Sequence, residues 1–126
     1  QSNAKREVKF KNGKPERLSI DIRLEGNIGE YIGKEILSSP DDIYKIEKML
    51  SQAVKKEVTM ALEKTQKDYS SDIFGFGELV HKYHPQYWKK AAKQWNDIFS
   101  QLPTDVKVDA KIRRSGLIKS PMKKDD

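Results

Sequence analysis

From residue 41 to about residue 69, apolar side chains recur at helical spacing: Ile43, Ile46, Met49, Leu50, Ala53, Val54, Val58, Ala61, Leu62 and Tyr69. Lysines and glutamates fill the positions between them, so the stretch reads as one long amphipathic helix. Such a helix is held in place by burying its stripe, and the rest of the chain must supply the surface it packs on. Its start is written into Ser38-Ser39-Pro40-Asp41-Asp42. A serine caps the first turn, proline fits there, and the aspartates complement the positive end of the helix dipole.

Two alternating segments are candidates for the opposing layer. Leu18, Ile20, Ile22 and Leu24 share one face of a strand whose other face is Ser19, Asp21, Arg23 and Glu25. Near the end, Val106, Val108, Ala110 and Ile112 alternate with Lys107, Asp109, Lys111 and Arg113. A short strand around Val8 and Phe10 precedes Asn12-Gly13, the residue pair of a tight hairpin turn, and Pro15 then limits ladder pairing. Gly26 and Gly29 mark a bulge or bend before Tyr31 and Ile32.

Between helix and final strand lies a glycine-spaced aromatic turn, Asp72-Ile73-Phe74-Gly75-Phe76-Gly77. A short helix, Glu78 to His84, follows it. Pro85 opens a further helix that places Trp88, Ala91, Ala92, Trp95 and Phe99 on one face and ends at Leu102-Pro103. The expected fold is α+β and two-layered: a small antiparallel sheet with a long amphipathic helix and two shorter helices packed on one face. The strands around Ile20 and Val108 should be close partners. Residues 1–4 read as a tag remnant, residues 5–118 as a single α+β domain, and residues 119–126 as a flexible polar tail.

Charge narrows the function classes. The formal net charge is +6, from 25 basic against 19 acidic residues. That mixture is a solvated surface with a basic lean, without the unbroken basic run of a nucleic-acid tail. The absence of cysteine removes disulfides, thiolate metal sites and cysteine nucleophiles. No stretch approaches the roughly 20 apolar residues of a membrane span, and no signal peptide is visible.

No catalytic constellation emerges. His81 and His84 are one turn apart, and Glu78-x-x-His81 resembles half of a carboxylate–histidine metal motif. A metal-binding enzyme would need further ligands from elsewhere, so these histidines read as helix surface. Gly75 and Gly77 match neither a dinucleotide fingerprint nor a phosphate loop; Phe74 and Phe76 read as anchors with glycines allowing a close turn. Glu25 with Glu30 has no apolar pocket to separate two carboxylate pKa values, and Asp41 with Asp42 suits a helix start. Ser70, Ser71 and Ser115 lack a nucleophile elbow. Trp88 and Trp95, a heptad apart, read as core. Lys82, Lys89, Lys90 and Lys93, with Lys107, Lys111 and Arg113, are interrupted by Asp97, Asp105 and Asp109 and read as solubilising charge. A basic nucleic-acid-binding module is the alternative to an interaction domain, and a metal-binding enzyme domain a more distant one.

The order of segments adds a resemblance. The long helix ends in Glu63-Lys64-Thr65-Gln66-Lys67-Asp68-Tyr69 and leads directly to Ser71-Asp72-Ile73-Phe74-Gly75-Phe76-Gly77. His84-Pro85 and the Trp88 and Trp95 helix follow, then the closing run from Asp105 to Ile118 with Lys111-Ile112-Arg113-Arg114-Ser115-Gly116. From about Leu18 to Ile118 the chain resembles the C-terminal domain of spore-germination receptor C subunits, the GerAC-like lipoprotein family. The resemblance implies a non-enzymatic interaction domain of a germinant receptor, with integral-membrane A and B subunits as partners. It further implies a lipid anchor outside this sequence and a place on the outer face of the spore inner membrane. No nucleic acid, cofactor, metal or catalytic residue is implied, and no partner-binding residue is assigned. Asp72, Phe74, Gly75 and Phe76 match the family motif and are expected to serve folding.

Overall fold

The computed structural model describes residues 2–26, 39–69 and 71–113. The expected tail at 119–126 and the Gly29–Tyr31–Ile32 bend lie outside the described residues. Three strands form one sheet in the order β1-β2-β3: β1 is Ser2–Lys11, β2 Lys14–Gly26 and β3 Thr104–Ile112. Between β2 and β3 come helices α1 (Pro40–Lys64), α2 (Phe76–Tyr83), α3 (Pro85–Ala91) and α4 (Trp95–Gln101). The fold is α+β, and β2 and β3 are neighbours as the alternating segments required.

The sheet differs from expectation in direction. β1 and β2 are an antiparallel hairpin, but Leu18 N–H donates to Pro103 O and Arg113 N–H to Gly26 O. Rising numbers on β2 therefore meet rising numbers on β3, and that pair is parallel. Alternation alone carries no direction; the helical crossover between the two strands decides it. β1 is also longer than the short strand expected, and residues 2–4, read as a tag remnant, begin it.

Asn12 and Gly13 have φ of 54° and 76°, the left-handed pair of a two-residue hairpin turn, so Lys11 and Lys14 face each other. Lys14 thus points its backbone at β1, whereas Leu18 N–H points at β3. Strict alternation would aim both the same way. One extra residue, a bulge, therefore sits between them on β2. It brings buried Leu18 and Ile20 onto the face of buried Val8.

The described residues fall into two compact units. In the first, residues 2–3, 22–26, 39–54 and 108–113, buried Ile43 and Ile112 pack with Ile46. Ser39 Oγ accepts from Asp42 N–H at 3.1 Å, the cap that starts α1. Two outward N–H groups near the end of β3 are taken by α1: Ala110 donates to Ser51 Oγ at 2.9 Å and Ile112 to Glu47 Oε2 at 2.8 Å. Ser51 in turn donates to the Glu47 carbonyl at 2.8 Å. A helix thereby covers the last residues of this sheet edge.

The second unit, residues 4–21 and 55–107, holds Leu18, Leu62, Phe76, Val80 and Phe99 fully buried. Here α1 gives way to a π-helical turn, Thr65–Tyr69. Thr65 Oγ1 donates to Leu62 O, and buried Gln66 donates from Nε2 to the carbonyls of Phe99 and Leu102 at 2.8 and 2.9 Å, satisfying the end of α4.

The α1 stripe is narrower than expected. Ile43 and Leu62 are buried and Ile46, Val54 and Val58 half-buried, but Met49, Leu50, Ala53 and Ala61 are exposed. A three-stranded sheet covers less of the helix than its apolar residues would allow. The single helix expected from Pro85 to Leu102 is also interrupted, by a 3₁₀ turn at Ala92–Gln94. Those residues favour helix, so the break is tertiary in origin and lies beside Trp95.

Candidate functional site

The Asp72–Gly77 turn is built around one carboxylate. Asp72 Oδ1 accepts from Phe76 N–H at 3.0 Å, and Oδ2 accepts from Gly77 N–H at 2.6 Å. Trp95 Nε1 donates to the same Oδ2 at 2.9 Å. The charge thus sits on the N-terminal amides of α2, where the helix dipole favours it. Gly75, at φ 79°, supplies the left-handed step into the helix, and Arg6 donates to the Phe74 carbonyl beside it. A Cβ on Gly77 would meet Trp95 Nε1 at 2.9 Å and Trp88 at 3.1 Å. Only glycine lets the two indoles lie that close.

Rings continue outward from this turn. Trp95 contacts Phe99 at 6.5 Å and Trp88 at 5.8 Å between centroids, and Phe76 contacts Phe74 and Phe99, each at 6.3 Å. Trp95 is buried, as a core reading requires, whereas Trp88 is half-buried. A shallow recess of about 310 Å³ opens here, lined by Asp72, Glu78, His81 and Trp88 among others. Its walls offer an acidic and aromatic surface, but Asp72 already accepts from three donors and is not an idle base.

The two histidines part ways. His81 stacks on Trp88 at 5.7 Å, and His84 stacks on Phe10 at 3.7 Å with the rings 13° from parallel. Tyr87 meets Phe10 edge-on at 5.3 Å, and burial pushes its phenol pKa up. Among the described residues no three His, Cys, Asp or Glu side chains converge as metal ligands. Glu78 and His81 share the recess rim, while His84 belongs to the other side of α2.

The remaining candidates are surface. Lys82, Lys89, Lys90, Lys93 and Lys107 are exposed, and Lys82 lies 5.3 Å over the Tyr83 ring. Lys111 approaches Asp109 at 3.7 Å. Arg113 pairs with Glu25 at 2.9 Å; their hydrogen bond and opposite charges hold the Glu25 carboxyl below its ordinary range and raise Arg113. Glu30, Ser70 and Ser115 lie outside the described residues. Sequence reasoning missed Glu47 and Ser51, an i, i+4 pair whose target on β3 has no local signal.

The fold and this turn define an α+β domain of a larger protein class. The crystal structure of the GerBC protein shares the fold, with a TM-score of 0.71 over 89% of this chain and 34% of that one, at 22% identity. The chain belongs to the spore germination B3/GerAC-like C-terminal family, whose profile matches residues 1–116. Spore germination protein KC of Bacillus subtilis is 34% identical over 122 residues, 94% of this chain and 30% of that protein. YndF and B3 of the same organism are 31% and 28% identical, over 86% and 79% of this chain. The chain spans about a third or less of these relatives. No helix among the described residues is long and apolar enough to cross a membrane.

Proposed function

We propose that this chain is a non-enzymatic interaction domain of a lipid-anchored subunit of a nutrient germinant receptor. It acts with integral-membrane A and B subunits on the outer face of the spore inner membrane. Family membership over residues 1–116 carries the reading. The geometry supports it: the carboxylates of Asp72 and Glu47 and the amide of Gln66 are all engaged with backbone groups, as in a scaffold rather than a reaction centre. What such a domain offers a partner is surface. The test is co-purification of the intact parent protein with the A and B subunits from spore membranes. Recovery of all three supports the reading; a parent that purifies alone from membranes that retain both subunits would contradict it.

A further inference from the structure

The sheet has two edges, and they are treated differently. β3 donates the amides of Ala110 and Ile112 to Ser51 and Glu47, whereas among the described residues no strand lies beyond β1. Because the hairpin turn fixes Lys11 as facing β2, alternation turns the N–H and C=O groups of Ala4, Arg6, Val8 and Phe10 outward. A groove of about 410 Å³ runs along this edge, between Lys5–Val8 and the α2 flank of Leu79, Tyr83 and His84. Tyr83 is 63% exposed there, an apolar wall open to solvent. A strand edge flanked by a helix is the arrangement that accepts an extended peptide as an added strand.

The side chains state what such a strand would carry. Residues 4–11 hold Lys5, Arg6, Lys9 and Lys11 against the one carboxylate of Glu7. Lys5, Lys9 and Lys11 lie on the face opposite Val8 and Phe10, by the same alternation. An incoming strand therefore meets three lysines and Glu7 on one face and, on the other, Arg6 beside the apolar wall of Val8, Leu79 and Tyr83. A second copy of this edge would bring like charges together, which disfavours self-pairing.

We propose that the outer edge of β1 and the flank of α2 dock an extended segment of a partner protein in which acidic and apolar residues alternate. This deepens the reading of the chain as an interaction domain and rests on it. The experiment uses the 126-residue chain and a capped peptide alternating valine and glutamate, with a valine–lysine peptide as control. Residue-resolved hydrogen exchange should show protection gained at Ala4, Arg6, Val8 and Phe10 with the acidic peptide only. Lys5→Glu with Lys9→Glu should weaken binding about tenfold, at an unchanged melting temperature because both side chains are exposed. Tyr83→Ala should weaken it without altering charge. Protection elsewhere, equal binding of both peptides, self-association through β1 in place of peptide binding, or indifference to both variants would overturn the proposal. Co-purification with receptor subunits is read separately, so failure of the groove and failure of the receptor reading are distinguishable.

Discussion

The indole of Trp95 donates to the carboxylate of Asp72 at 2.9 Å across 23 residues of chain, while that same carboxylate caps the first turn of α2. One side chain thus ties a helix start to a distant aromatic. Asp72→Ala should destabilise the chain by about 1–3 kcal/mol, the cost of a lost cap and an indole left without its acceptor. Urea unfolding checks this, with Asp97→Ala, at an exposed carboxylate in α4, as the milder reference.

Gly77 tests the closeness of the indoles. Gly77→Ala should cost about 1–3 kcal/mol and alter tryptophan fluorescence, because its methyl would enter space held by Trp95 and Trp88. Gly26→Ala meets nothing within 4 Å and should be close to neutral by the same measurement.

The covered end of the β3 edge predicts a local effect. Ser51→Ala and Glu47→Ala should speed hydrogen exchange at Ala110 and Ile112 respectively, and each should destabilise by about 1 kcal/mol. Ser51 donates to the main-chain carbonyl of residue 47, which Glu47→Ala retains, so the two losses should be close to additive.

The Glu25–Arg113 pair predicts a pH dependence. The folded carboxyl sits below its ordinary value, so the pair's contribution is present above the unfolded carboxylate pKa and declines as pH falls through the lower folded one. Glu25→Gln should lower the melting temperature slightly at neutral pH and match the parent chain below the folded carboxyl pKa, so its profile is flatter across that acidic window. Both groups are exposed, so added salt should shrink the difference.

Local patterns were legible where the deciding interactions are local. The Asn12-Gly13 turn, the Leu18–Leu24 alternation and the serine-capped start of α1 each depend on neighbours in sequence, and each is found. The folding role expected of Asp72, Phe74, Gly75 and Phe76 agrees with their caps and packing, but the partner of Asp72 could not be read. Its acceptor serves amides four and five residues on, beyond the usual capping offset, and an indole 23 residues away. The parallel sense of β3 and the 3₁₀ break before Trp95 likewise arise from contacts distant in sequence. Periodicity carries no trace of them.

The function proposed above has this domain contribute surface, not bond-making chemistry, to germination. Nutrient-triggered germination should be measured in spores carrying the intact parent protein, no parent protein, or Glu78→Ala with His81→Ala at equal protein level. Both substituted side chains are exposed on the rim of the recess. The account predicts that the deletion germinates poorly and the double variant matches the intact strain. A double variant as defective as the deletion, or a deletion that germinates normally without a paralogue, would contradict it.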